Sequence, residues 1–465
     1  MVKKQKLQLF DLTMIVISFV IGMGIFRTPV NVAAASPTPF LFFLCWIAGG
    51  LVALCGALTY AEIGSRLPVT GGYYKVFAYA YHPSIAFAIN CIILVSNAAS
   101  CAAVALVGSE YISSVLIPAS KDAAYMEIAA NADFVKLVQL GIALVAIILF
   151  YIVNMLGLRM SAKTQSVLMI IKIGMVVLLI TPLFFASSDA SVVTSLATEN
   201  INPAFREYIK AFGIGLVAVS FSYGGYQQTI NFGEEIDKPG KNIPRGIFIG
   251  IFVIICLYLL INYAYVKVIG FEELKKSTNI AAIMASKIFG QQAEQILSVL
   301  LFLGVLAYVN AVLLSNPRVM YAMSKDKILP AAFTKRNKRE ALTLALTTFA
   351  GVAAFVVFWA REFDKILSFT IFLDSFGMAL SAGSIFIIRK RTAHLNGTGI
   401  FSMKLYPLLP LIFIIAYIFV AISIALDYKK NDYAAAIGLA VLAFFTALYF
   451  IVKKLKPQND VLTSK

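Results

Sequence analysis

Two glycine-centred interruptions stand inside apolar runs, Ile21-Gly22-Met23-Gly24-Ile25-Phe26 and Phe221-Ser222-Tyr223-Gly224-Gly225-Tyr226. In hydrocarbon an unpaired amide or carbonyl costs several kcal/mol, so a helix breaks at membrane depth only where protein, water or a ligand completes its hydrogen bonds. The chemistry on offer is recognition of charge by backbone. After the first break, the amides of Gly24, Ile25 and Phe26 would open a half-helix whose positive end suits a carboxylate. The carbonyls of Ile21, and of Phe221 and Ser222 at the second break, would suit an ammonium, and Gly224 supplies the freedom to unwind. Together they fit the zwitterion of an α-amino acid. Close helix packing explains a single Gly-x-Gly equally well. Two breaks at matching positions in two halves point instead to the binding site of a transporter.

Several ionisable and polar groups also lie at membrane depth. Lys172, between Ile171 and Ile173, is a buried ammonium, usually paired, deprotonated or functional. It is a candidate for exchanging a coupling proton or bracing neighbouring helices; the plainer alternative is a lysine snorkelling toward the surface. Asp374, beside Phe372, Leu373 and Phe376, would favour a cationic substrate side chain or carry a coupling proton, or else serve as a structural carboxylate. Arg27 is expected to reach across an outer vestibule to a carboxylate, Glu110 lies near the outer surface, and Glu62, Glu234 and Glu235 fit either an inner gate of salt bridges or solvated helix ends. Asn97, Asn262 and Asn310 would bond a substrate or glue helices. His82 and His394 fall in loops. No metal-ligand spacing, phosphate loop or Gly-x-Ser-x-Gly elbow occurs, so the expectation is no enzyme, no cofactor and no metal.

The elements that must position these groups follow from composition. With 60% hydrophobic and 13% charged residues in 465, the chain is a polytopic membrane protein. Twelve apolar stretches approach or exceed the roughly 20 residues that a bilayer requires. They are 11–35, 39–65, 84–117, 134–156, 163–187, 208–233, 244–270, 292–323, 340–360, 366–389, 404–426 and 432–452. Alternating the connections places most of the Lys and Arg on one side, including Lys3, Lys4, Lys163, Arg245, Arg339, Arg389 and Lys453. By the positive-inside rule both termini are cytoplasmic in a multi-pass protein of the cell inner (cytoplasmic) membrane, and the net charge of +16 carries no nucleic-acid role. The first stretch is too long for a cleaved signal, and five cysteines, all in spans, make no disulfide framework. Residues 1–465 form one transporter domain: a first block over 11–187, a second over 208–389, each opening with a broken helix, and two added helices over 404–452. Five helices per block invert the second relative to the first.

These motifs resemble the amino acid-polyamine-organocation (APC) superfamily of permeases with the LeuT-like fold. Gly22-Met23-Gly24-Ile25-Phe26 is similar to its helix 1 signature, and Tyr60-Ala61-Glu62-Ile63-Gly64 with Thr70-Gly71-Gly72-Tyr73 to its helix 2 end and first inner loop. Phe221 to Tyr226 with Pro239-x-x-Asn242-Ile243-Pro244-Arg245 resembles helix 6 and its loop, and Asn316-Pro317-Arg318 through Met323 the helix 8 ending. The match covers nearly the whole chain, least in the last two helices. The resemblance implies an all-α integral membrane protein of twelve transmembrane helices, a 5+5 inverted repeat with helices 1 and 6 broken, and substrate held at the midplane between helices 1, 3, 6, 8 and 10. It implies sodium-independent, secondary active transport of L-α-amino acids, neutral ones favoured, by proton coupling or exchange, with Lys172 where relatives hold sodium and Tyr226 as an aromatic gate. Met23 stands where the family usually has serine or alanine, and Asn262 resembles a family asparagine near the substrate. Basic amino acid or polyamine antiport, and a non-transporting receptor, are the alternatives. Segment 118–133 lacks the cysteine that links a heavy chain in some relatives, so no disulfide-linked partner is expected; the substrate, the bilayer and a coupling proton are the partners.

Overall fold

The computed structural model describes residues 6–22, 24–117, 131–185, 205–277, 280, 283–284, 287, 291–359, 363–426 and 433–455. Its regular elements are helices, and the β-type pairing among the described residues is confined to isolated bridges such as Leu7 with Ile236. α1 (Leu9–Val20) and α2 (Gly24–Ala35) are the halves of the first span. Then come α3 (Pro39–Arg66), the short α4 (Gly72–Ala80), α5 (Pro83–Leu116), α6 (Ala132–Met155), α7 (Leu158–Ile180) and α8 (Phe205–Tyr223). The second half holds α9 (Pro239–Ile269), α10 (Phe271–Lys276), α11 (Gln291–Lys325), α12 (Thr343–Trp359), α13 (Phe363–Arg391), α14 (Leu408–Leu426) and α15 (Ala434–Leu455). Among the described residues nine helices are long and apolar enough to cross a membrane, counting α1 with α2 as one, and Thr343–Phe358 and Ala435–Ile451 are shorter apolar helices.

Local chemistry sets several boundaries. Thr38 caps α3 by accepting from the amide of Leu41, with Pro39 in the first turn where its missing N–H costs nothing. His82 and Pro83 start α5 in the same way. The second break departs from the expected helix over 208–233. After Tyr223 the chain continues as a 3-10 turn, Tyr226–Asn231, rather than an α half-helix. Gly225 takes φ +109°, and a Cβ there would come within 2.5 Å of the Phe19 carbonyl oxygen, so the two broken segments touch through bare backbone. The Gln227 side chain accepts from the Gly225 amide, and the Gln228 amide donates back to the Gly225 carbonyl, tightening the turn.

α3 packs along α9, α11 against α5 and α7, and α13 against α5 and α14, so the two blocks interleave around the breaks. The segment before α1 pairs with the loop after the second break: the Leu7 amide donates to the Glu235 carbonyl at 2.7 Å, and the Asp237 amide to the Leu7 carbonyl at 2.9 Å. This end of the bundle is basic and closed by ion pairs. Glu62 accepts from Arg66 Nε at 2.8 Å and Arg389 Nε at 2.7 Å, and its second oxygen takes the Met403 amide. Arg318 bonds Glu235 at 2.7 Å, whereas Glu234 accepts from the Thr70 hydroxyl rather than from a cation. At the other end Arg27 and Glu110 stand 3.7 Å apart.

Removing one member of a buried ion cluster strands the rest. The Glu62 carboxylate has no solvent-exposed surface and that of the Arg66 side chain is 1%, so Glu62→Ala is expected to cost roughly 3–5 kcal/mol. A clear fall in the melting temperature of the purified protein in detergent, larger than for Glu110→Ala, checks it.

Candidate functional site

The breaks in α1–α2 and after α8 lie against each other. A Cβ on Gly24 would sit 2.6 Å from Ser222 Oγ and 2.9 Å from Ser222 Cα, so only glycine allows α2 to start beside the end of α8. Two side chains serve the exposed carbonyls. The Lys172 ammonium, buried on α7, donates to the Ile21 carbonyl. The Tyr258 hydroxyl of α9 donates to the Val20 carbonyl at 2.8 Å and reaches the Ser222 carbonyl at 3.2 Å. The first amides of α2, by helix geometry, have no partner within the helix.

A cavity of about 70 Å³ opens at this point. Backbone of both breaks forms one wall, through Val20, Gly22, Gly24, Gly224 and Gly225. The facing wall sets polar groups, Asn97 and Ser100 from α5, Tyr308 and Asn316 from α11, Asp374 from α13 and Tyr417 from α14, among the apolar Val104, Val312, Ile371 and Met378. Its groups hold one another. Asn97 donates to Asn316 Oδ1 at 2.7 Å, Ser100 pairs with the Tyr308 hydroxyl at 2.8 Å, and Ser96 donates to Asp374 at 2.9 Å. Among the described residues Asp374 is in no salt bridge.

Of the residues singled out from sequence, Gly24, Asn97, Gly224 and Asp374 line the cavity, and Ile21 and Lys172 meet at the break beside it. Ile25 and Phe26 are buried in the first turn of α2, Phe221 lies in the last turn of α8, and the Ser222 hydroxyl is buried without a hydrogen-bond partner among the described residues. Met23 lies outside the described residues. Tyr226 does not line the cavity: it packs edge-on to Tyr60, and a Cβ on Gly56 would run into its hydroxyl. Asn262 is also away from it, donating one turn back to the Tyr258 carbonyl at 2.7 Å.

The chain that builds this cavity has counterparts in known proteins. Residues 7–452 match the model of the amino acid permease family. The chain belongs to that family. The permease is similar to the serine/threonine exchanger SteT of Bacillus subtilis (strain 168), 26% identical with 98% of each chain covered. It is also similar to the human cystine/glutamate transporter, 25% identical over 98% of this chain and 87% of that one. With the human large neutral amino acids transporter small subunit 2 it shares 23% identity, over 96% and 80% of the two chains. The permease is thus a multi-pass membrane protein whose relatives move amino acids.

Sequence reasoning missed Tyr258, Tyr308, Gln228 and Tyr417 as members of the permease's site. Asn97 and Ser100, one turn apart in an apolar run, did carry a signal: two polar side chains on one face of α5. Tyr258, set between Leu257 and Leu259, carried none. Replacing Tyr258 by Phe removes a single donor shared by two carbonyls. Transport is expected to fall about tenfold, the equivalent of one buried hydrogen bond, with expression and melting temperature nearly unchanged; initial rates of uptake into proteoliposomes measure it.

Proposed function

We propose that this permease is a secondary active transporter of L-α-amino acids across the cytoplasmic membrane, sodium-independent and working by proton-coupled uptake or exchange. Twelve spans in two inverted blocks of five, with two added helices, are the proposed frame, the basic end facing the cytoplasm. The observation that carries the reading is the meeting of α1 and α8 carbonyl ends with the amide end of α2 at one cavity. A zwitterion placed there would set its carboxylate on the amides of Gly24 to Phe26 and its ammonium on the carbonyls of Ile21, Phe221 and Ser222. Lys172 occupies the same break and supplies a tethered, exchangeable positive charge in place of sodium. Tyr226, on the turn after the second break, closes the site from the cytoplasmic side when that turn moves, and Asn262 positions Tyr258.

The small cavity, with a few fixed polar groups in an apolar lining, favours a neutral amino acid with a short side chain, and the name of the SteT relative makes L-serine and L-threonine the first probes. Asp374, in no salt bridge among the described residues, supports basic amino acids or polyamines as the second reading. Segment 118–133 holds no cysteine, and no disulfide-linked heavy chain is proposed.

Counterflow of labelled L-serine and L-threonine in proteoliposomes, with and without a pH gradient, tests the function. Saturable counterflow is expected, and tight binding without flux would make the protein a receptor instead. Lys172→Ala is expected to abolish the response of uptake to the pH gradient. Asp374→Asn is expected to shift the order of preference in a thermal-shift screen of amino acids and polyamines, and an unchanged order would remove Asp374 from substrate recognition.

A further inference from the structure

A second line of buried polar groups crosses α6, α11 and α7 without touching the cavity. Asn154 donates to Asn310 Oδ1 at 2.8 Å, and Asn310 donates to Gln165 Oε1 at 2.6 Å and to the Ser161 carbonyl at 3.1 Å. Gln165 and Asn310 have no exposed surface and Asn154 has 5%. Yet Asn154 Oδ1 and Gln165 Nε2 have no hydrogen-bond partner among the described residues. Buried amide atoms left over in this way are costly, and the usual occupant that satisfies them is water.

The line has two distinct ends. Asn154 lies in the wall of a broad cleft at the basic end, shared with Arg159, Lys163 and Ser166. Gln165 lies seven residues before Lys172 on α7, hence on the same face and about 10 Å away along the axis. Gly304, six residues before Asn310 on α11, leaves room beside Lys172: a Cβ there would stand 3.1 Å from Lys172 Cε. Between Gln165 and Lys172 on that face is buried Met169, an unbranched thioether that swings aside easily.

We propose that Asn154, Asn310 and Gln165 hold a file of waters that carries a proton between the cytoplasmic cleft and Lys172, on a route separate from that of the amino acid. This rests on the reading of Lys172 as the coupling group. On release an Nζ–H bond breaks and its electron pair stays on nitrogen as a neutral amine. The proton forms a bond to the nearest water oxygen, and the excess proton passes from water to water into the cleft. Loading runs in reverse, and the amides only orient the waters. The uncharged titratable groups of the helices packed on α7 are Tyr151 of α6, Cys256, Tyr258, Tyr263 and Tyr265 of α9, and Tyr308 and Tyr321 of α11; Tyr258 is spent on the Val20 and Ser222 carbonyls and Tyr308 pairs with Ser100. The charged residues of those helices come nearer their ends in the sequence: Asp11 of α1, Asp133 and Lys136 of α6, Lys241, Arg245 and Lys267 of α9, and Glu294, Arg318 and Lys325 of α11.

The experiment follows L-serine-driven proton entry with a trapped pH dye in proteoliposomes, beside L-serine counterflow, which needs no net proton movement. Gln165→Leu is expected to slow proton entry about tenfold and leave counterflow near wild type, whereas Gln165→Ser, which admits another water, keeps both. Wild-type proton entry in Gln165→Leu, with Lys172→Ala slowed, overturns the route and spares Lys172. Wild-type proton entry in Lys172→Ala overturns the coupling reading and the route with it, as does no L-serine-driven signal in the unaltered protein. Equal loss in the Leu and Ser variants shows a packing role for Gln165 and overturns the route.

Discussion

A helix interrupted in hydrocarbon must find partners for the backbone it exposes, and the molecule is arranged around that need. Lys172 and Tyr258 arrive from helices in opposite halves of the chain to serve carbonyls within two residues of each other, Ile21 and Val20. A phenol hydroxyl has one hydrogen to donate. Shared between Val20 and Ser222, it can tighten on one carbonyl when the other turns to something else. The breaks are therefore stable when empty without being fully committed, which is what a site that must bind and release requires.

The polar wall opposite follows a different logic. Its members pair with each other across α5, α11 and α13, so Asn97, Asn316, Ser100, Tyr308, Ser96 and Asp374 are held in place before anything enters. Preorganised groups lose little conformational freedom on binding, and hydrogen bonds between helices fix how those helices stand relative to one another. The adaptable half of the site is backbone and the rigid half is side chain.

Much of this was legible in the chain. Helix starts such as Thr38-Pro39 and His82-Pro83 are local chemistry and read directly. Both breaks announced themselves because glycine pairs are conspicuous in apolar runs, and Lys172, Asn97 and Asp374 because they are polar there. What could not be read depends on partners distant in sequence. The second break leads into a 3-10 turn because the Gln227 side chain caps Gly225 and Phe19 backbone approaches it. Tyr226 is enclosed because Gly56, Tyr60 and Phe413 crowd one place, the last from α14, where the family resemblance says least. Tyr417, from that same helix, enters the cavity wall for the same reason.

The pairing of Leu7 with Glu235 and Asp237 has a mechanical meaning. Two backbone hydrogen bonds yoke the lead-in to the first broken helix to the lead-out of the second, so a pull on either is delivered to both. Leu7 acts as a tiller, a single residue turning both broken segments at once.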